Sequence, residues 1–159
     1  MTAPVLETPP DIQGFSIFCD DIRSEIDGKQ TLVGSYLGRE MMVRSAFPVT
    51  LPKFCISMHF IQRIEIFTPE LGIRVFLPGD SDDNASIQGE FTAEVPHGAG
   101  PMISLVTNVV FAPLVLTEPG EIKVRILRAG VLHRLGTLKV LQDPDFTKQQ
   151  QAQTTSDAS

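Results

Sequence analysis

The sequence contains no tryptophan and only two cysteines, so phenylalanine and aliphatic side chains have to form any core. Its 159 residues are enough for one domain that buries a core without disulfide or metal staples. A hydrophobic content of 42% excludes a chain that is disordered throughout. These numbers predict a single globular domain with short polar ends.

Signals for export and for membrane insertion are also missing. Residues 1–14 have neither the basic region nor the apolar region of a signal peptide. No apolar run approaches the roughly 18 residues that a membrane-spanning helix needs. Cys19 and Cys55 therefore indicate free thiols in a reducing compartment, and we expect a cytoplasmic protein with no membrane partner.

A surplus of positive charge is absent, because 13 Lys and Arg face 19 Asp and Glu for a net charge of −6. This balance argues against nucleic acid as a partner, since neutralising phosphates requires excess cations. Five basic residues nevertheless crowd the last β region: Lys123, Arg125, Arg128, Arg134 and Lys139. We interpret them as a solvated hairpin face, with a local basic surface as the alternative.

Alternating apolar and polar residues are the main structural signal. Residues 54–60 and 87–95 alternate with a period of two, which is typical of half-buried strands, and we expect the core to follow them. Asp27-Gly28 and Ala129-Gly130 mark tight turns, and Pro113 interrupts a long apolar stretch over 103–116. About eight strands with short connections predict an all-β fold, an Ig-like or C2-like antiparallel β-sandwich.

The two ends of the chain differ from the middle. Residues 1–13 contain three prolines and little apolar mass, which predicts a flexible lead-in. Residues 14–142 form the predicted sandwich domain. Residues 143–159 are polar without periodicity, which predicts a disordered tail.

An acidic segment after the first strand is a candidate metal site. Asp20, Asp21 and Asp27 lie close in sequence, and Ca²⁺ takes several oxygen ligands gathered from loops. The simpler interpretation is that Asp20 and Asp21 cap backbone N–H groups or pair with Arg23. A second acidic loop, residues 80–84, matches the start of an EF-hand loop but lacks its glycine and its closing glutamate, so we interpret it as a turn.

Motifs for nucleophilic catalysis, zinc and phosphate cradles are absent from the sequence: G-x-S-x-G, HExxH, CxxC and GxGxxG. Ser57 and His59 share one strand face, but positions two apart are roughly 6.6 Å apart along a strand. We therefore expect no short hydrogen bond between them and interpret the stripe as polar surface.

Apolar residues exceed what one buried face requires. Over 103–116 both faces of the strand are apolar, so this strand is either covered on both faces or exposes a patch to a partner. A partner protein or a second copy of the chain is the leading prediction for its function.

Two stretches carry a family resemblance. FCDDIRSEIDGKQTLVGSY (residues 18–36) and FPVTLPKF (residues 47–54) resemble the N-terminal signature of an uncharacterised bacterial family. TEPGEIKVRILRAG with GTLKV (residues 117–140) is similar to the last hairpin of many small bacterial Ig-like sandwiches. The resemblance covers residues 15–141 and implies a bacterial or phage origin and a β-sandwich, without any activity or site residue.

The sequence leaves three functions open, and we rank them by the residues that support them. A non-enzymatic interaction or assembly module, with no catalytic residues and no cofactor, comes first. A calcium-binding sandwich using Asp20, Asp21 and Asp27 or the loop at 80–84 is the alternative. A hydrolase ranks last, because its groups would have to converge from separate strands.

Overall fold

The computed structural model describes residues 10–157, which form a mainly β architecture. Its twelve strands are β1 (Ile12–Cys19), β2 (Asp21–Ser24), β3 (Gln30–Val33), β4 (Glu40–Val43), β5 (Val49–Leu51), β6 (Phe54–Arg63), β7 (Glu70–Phe76), β8 (Ile87–Thr92), β9 (Met102–Phe111), β10 (Leu114–Leu116), β11 (Gly120–Arg128) and β12 (Val131–Gln142). Helix α1 (Pro144–Asp157) follows, and Ile26–Gly28 and Ile64–Ile66 form 3₁₀ turns. No helix within the described range is both long and apolar enough to span a membrane.

Two sheets form the layers of the sandwich. The three-stranded sheet has the order β1-β6-β9, and the five-stranded sheet has the order β4-β12-β11-β7-β8. Strand pairs β5–β10 and β2–β3 add two small ribbons. Buried side chains from both large sheets form one core cluster, which includes Phe54, Ile56 and Met58 of β6 and Ile122 and Val124 of β11. The predicted sandwich is confirmed in this general form.

The alternation over residues 54–60 does supply the core, as predicted, because the even-numbered side chains of β6 are all buried. The alternation over residues 87–95 contributes fewer side chains to the core. Ile87, Phe91 and Ala93 are half-buried against the core, but Val95 lies beyond the end of β8 and is 46% exposed. The loop that leaves β8 carries Val95 away from the sheet.

Several details differ from the sequence prediction. Over residues 10–157, the structure has twelve strands where the sequence predicted about eight. The difference comes from short strands such as β5 and β10, which lie next to prolines and pair with each other. The sheets are not purely antiparallel, since β4 pairs with β12 in parallel over Lys139–Gln142. The interruption predicted at Pro113 is present, because β9 ends at Phe111 and β10 begins at Leu114.

The ends of the domain also differ from the prediction. Strand β1 begins at Ile12, inside the predicted lead-in, because Ile12 and Gln13 pair with β6. Residues 1–9, where the rest of that lead-in was expected, lie outside the described residues, as do 158 and 159. Where disorder was predicted after residue 142, the structure has α1, none of whose residues is buried. Asp143 caps it by accepting a 2.9 Å hydrogen bond from Asp145 N, and Pro144 suits the first helical position.

Strands β2 and β3 form a hairpin that folds over the outer face of the three-stranded sheet. The turn between them contains Asp27-Gly28, as the sequence predicted. Beneath the hairpin, Cys55 and Ser57 of β6 are 0% and 1% exposed although they point away from the core. The outer face is therefore divided into a covered part and an open part.

Candidate functional site

The outer face of the three-stranded sheet carries three cross-strand rows of side chains. In register from β1 through β6 to β9, the rows are Phe15, His59 and Val106; Ile17, Ser57 and Asn108; and Cys19, Cys55 and Val110. The hairpin and this face together border an open cleft of about 430 Å³. Its lining includes Leu32 from the hairpin and Ser57, His59 and Val106 from the sheet.

Ser57 and His59 do form a hydrogen bond, so the prediction that strand spacing keeps them apart was wrong. Ser57 Oγ lies 3.2 Å from His59 Nε2. The imidazole spans the gap between positions two apart because it is long, and it is held flat against the Phe15 ring at 4.5 Å with an interplanar angle of 6°. Burial lowers the pKa of His59, so the ring is neutral near pH 7.

This pair lacks the other parts of a catalytic site among the described residues. No carboxylate of residues 10–157 contacts His59, and Ser57 is only 1% exposed. The residue opposite Ser57 is Asn108, whose buried Oδ1 has no hydrogen-bond partner within residues 10–157. A serine nucleophile needs both an oriented base and access to a substrate. His59 could act as the base, but the buried Ser57 has no such access.

The two cysteines lie directly opposite each other on β1 and β6, and both are free and buried. Burial, together with the neighbouring Cys55 thiol, raises the pKa of Cys19 to about 11. Burial also raises the pKa of Cys55. Both thiols therefore stay protonated at neutral pH, and neither has the thiolate character of a nucleophile or a metal ligand.

Asp20 is bound within the fold rather than presented in an open loop. Its Oδ1 accepts a 2.8 Å hydrogen bond from the Tyr36 hydroxyl, and its carboxylate lies directly over Gly34. Tyr36 in turn packs at a centroid distance of 6.1 Å from Phe54, which also stacks on Phe18. The stretches that carry the family resemblance, residues 18–36 and 47–54, thus meet in one cluster at the end of β1.

Asp21 is the centre of a small ion-pair network. Lys53 Nζ and Arg23 Nε both donate to its carboxylate, Arg23 at 3.3 Å. The hydrogen bond from Lys53 holds the pKa of Asp21 below its usual range. Because both cations neutralise Asp21 locally, the network favours the capping and pairing interpretation of the acidic segment.

The structure does not gather the predicted metal ligands. Asp27 lies in the 3₁₀ turn at the tip of the hairpin with a left-handed φ of 62°, while Asp20 and Asp21 lie at its base. Within residues 10–157, no group of three or more His, Cys, Asp or Glu side chains could hold a metal ion. The calcium site stays a prediction, without a three-ligand set in the described part of the chain.

The second acidic loop is a turn, as interpreted from the sequence. Asp80 accepts hydrogen bonds from Leu77 N at 2.9 Å and from Ser86 N and Oγ at 2.8 Å, which closes the loop. Burial opposes ionisation of Asp80, but these hydrogen bonds outweigh it and lower the pKa. Asp82 pairs instead with Lys123 at 2.9 Å.

Strand β9 is the most exposed apolar element of the outer face. Val106 and Val110 are 51% and 53% exposed, whereas Ile103 and Phe111 on its other face belong to the core. The sequence predicted two apolar faces here without deciding between a covered strand and an exposed patch. The structure shows that the inner face of β9 is covered by the core and that its outer face is open. The sequence could not decide this, because it depends on where the β2–β3 hairpin lies over the sheet.

Comparisons with known proteins place this chain in a family. The model of a family of unknown function, DUF6941, matches residues 14–141, which is nearly the whole described β domain. Comparison with curated proteins and comparison with solved structures each found no match. The chain therefore belongs to the DUF6941 family, whose function is unknown.

Proposed function

We propose that this chain is a non-enzymatic interaction or assembly module, an Ig-like sandwich of bacterial or phage origin that acts in the cytoplasm. We further propose that it binds a partner protein by accepting an extended segment along strand β9. The observation that carries this proposal is the open edge of β9. Strand addition of this kind obtains affinity from main-chain hydrogen bonds and specificity from alternate side chains.

The free edge of β9 contrasts with the other edge of the same sheet. Strand β9 is ten residues long, pairs with β6 on one side, and has no backbone partner on the other side within residues 10–157. At the opposite edge, Asp20 N donates to Val33 O and Tyr36 N donates to Phe18 O. The C-terminal end of the β1 edge is thus covered by its own chain, whereas β9 offers a full row of N–H and C=O groups.

The composition of β9 leaves that edge without the usual protection. Edge strands of monomers are normally short, or carry charges, prolines or bulges that prevent pairing. Residues 102–111 contain no charged residue, no proline and no glycine, and β9 pairs with β6 without a break in register. The two edge strands of the other sheet are short and charged: β8 has six residues and carries Glu90, and β4 has four residues and carries Glu40.

The side chains beside the β9 edge indicate what kind of segment would fit. Val106 and Val110 flank Asn108 on the open face, so a strand paired with β9 would place its own side chains next to two half-exposed valines. Burying apolar area contributes roughly 25 cal/mol per Å². The preferred partner is therefore an uncharged extended segment with aliphatic side chains at alternate positions.

Replacing Val106 and Val110 together by lysine is expected to abolish association. Two charges on the open face would have to be desolvated when another strand pairs with β9, yet neither side chain packs in the core, so the fold should persist. Size-exclusion chromatography with light scattering measures self-association, and a pull-down measures a heterologous partner.

Val131→Lys is the matched control, because Val131 is 55% exposed and begins β12 in the other sheet. This variant should associate like the wild type. A wild-type protein that is strictly monomeric and retains no partner would contradict the proposal, and so would unchanged association of the double variant.

A hydrolase is a second candidate, favoured by the 3.2 Å contact between Ser57 and His59. We expect a serine-directed fluorophosphonate probe to leave the protein unlabelled, because Ser57 is 1% exposed and its histidine has no carboxylate partner among the described residues. Mass spectrometry of the treated protein measures this, with Ser57→Ala as the control. Labelling of the wild type that disappears in the alanine variant would establish an enzyme instead.

A further inference from the structure

A groove of about 630 Å³ lies on the outer face of the five-stranded sheet, away from β9. Its walls carry five cations: Arg39, Lys123, Arg125, Arg134 and Lys139. A protein with a net charge of −6 thus concentrates five of its 13 Lys and Arg residues around one depression. From the sequence, we interpreted all of these residues except Arg39 as part of a solvated hairpin face.

Two of the arginines that line the groove lie opposite each other on neighbouring strands. Arg125 of β11 and Arg134 of β12 are directly opposite in register. Like charges in this position destabilise a sheet, typically by a few tenths of a kcal/mol to about 1 kcal/mol. Burial and the charge of Arg134 both lower the pKa of Arg125, which shows that the two guanidinium groups oppose each other's charge.

The fold offsets the charge of this pair only in part, since the charges of Asp82 and Glu121 act to raise the pKa of Arg125 without forming an ion pair with it. Arg125 Nη1 donates to the carbonyl of Val124 at 3.0 Å, and within residues 10–157 neither Arg125 nor Arg134 forms an ion pair. Lys123 is paired with Asp82. The next arginine in the same row, Arg74 of β7, is also neutralised, by Glu90 at 2.6 Å.

A β-bulge is what directs Arg134 into the groove. The register between β11 and β12 shifts after Val124, which is opposite Gly136, so that Arg125 is opposite Arg134 and Leu135 is skipped. Thr137 and Lys139 line the groove, and unbroken alternation would place Leu135 beside them. Instead Leu135 is buried at 3% exposure and Arg134 lines the groove. Bulges commonly re-aim side chains next to functional sites.

Arg39 closes one side of the groove in a strained backbone conformation. Its φ is 56°, in the left-handed region that residues with a Cβ rarely occupy. Its carbonyl accepts a 2.9 Å hydrogen bond from Lys139 N, which fixes it beside β12. A turn in which Arg39 N donates to Tyr36 O at 3.4 Å accounts for this conformation, and it holds Arg39 in the wall of the groove.

We propose that this groove binds a compact phosphate-bearing anion between Arg125 and Arg134. Paired guanidinium groups match the oxygens of a phosphoryl group, to which each can donate two parallel hydrogen bonds. Glu40, Asp82 and Glu121 also line the groove. These carboxylates would repel an extended polyanion such as a nucleic acid strand, so the proposed ligand is one small enough to contact Arg125 and Arg134 alone.

Pyrophosphate is the probe that tests this site in the full-length protein. We expect isothermal titration at low ionic strength to detect binding, and Arg134→Gln to weaken it by about tenfold or more. Arg134→Lys keeps the charge but loses the planar fork, so binding should fall several-fold. Arg44→Gln, which changes an exposed arginine outside the groove, should bind like the wild type.

Arg134→Gln also gives an independent measurement, because it should weaken pyrophosphate binding but raise the melting temperature. Without ligand, Arg134→Gln should melt about 1–3 °C higher than the wild type, because the like-charge pair is removed. Absence of pyrophosphate binding at millimolar concentration, or equal binding by Arg134→Gln, would overturn the proposal. Binding of citrate as tight as that of pyrophosphate would overturn the assignment to phosphate.

Discussion

Replacing Phe54 by alanine is expected to lower the free energy of unfolding by about 3–5 kcal/mol, the range for truncating a fully buried phenylalanine. The Phe54 ring is 0% exposed and lies within 6.1–6.3 Å of the rings of Phe18, Tyr36 and Phe111. Those rings come from β1, the segment after β3, and β9, so a cavity here would loosen three parts of the chain at once. Urea denaturation followed by circular dichroism measures the loss.

Ile26→Ala is the control for this substitution, because Ile26 is 83% exposed at the tip of the β2–β3 hairpin. It should change the free energy of unfolding by less than about 0.5 kcal/mol. A loss at Phe54 as small as that at Ile26 would mean that the aromatic cluster is not the anchor of this end of the sandwich.

Replacing Gly34 by alanine is expected to cost about 2–3 kcal/mol from two separate causes. Its φ is 67°, and an L-residue in this region costs roughly 1–2 kcal/mol. An added Cβ would also lie 2.3 Å from Asp20 Oδ2, so Asp20 would have to move away from the Tyr36 hydroxyl. Losing that exposed hydrogen bond adds about 1 kcal/mol.

Gly28→Ala separates the two causes. Gly28 has nearly the same φ, 71°, but a Cβ added there would have no neighbouring atom within 4 Å, so only the backbone cost should appear. In an Asp20→Ala background, the cost of Gly34→Ala should fall towards that of Gly28→Ala, because only the Cβ at position 20, 3.2 Å away, still crowds the added methyl group. A double-mutant cycle in urea measures this change. An undiminished cost in that background would exclude Asp20 as the cause.

The sequence predicts this molecule well wherever a local pattern determines the structure. The alternation around Ile56 and Met58 indicated the buried strand, and Asp27-Gly28 indicated the hairpin turn, because pleat geometry and left-handed φ are properties of neighbouring residues. Burial of Ser57 beneath that hairpin could not be predicted in the same way. It depends on a contact between segments that are distant in sequence.

The candidate sites show the same limit more strongly. The acidic residues were visible as a cluster in the sequence, yet their roles depend on Tyr36 and Lys53, which lie 16 and 32 residues away from Asp20 and Asp21. The arginine pair was hidden for a different reason. Regular alternation does not bring Arg125 and Arg134 together, and a bulge of one residue is not encoded by any pattern in the strand itself.

The two edges of the three-stranded sheet have a consequence for how large an assembly could grow. The β1 edge is occupied at its C-terminal end by the chain itself, because Asp20 N donates to Val33 O and Tyr36 N donates to Phe18 O. If β9 pairs with β9 of a second copy, each molecule uses up the edge that this pairing needs. Such pairing is symmetric and stops at a closed dimer, so the exposed strand does not by itself lead to fibres.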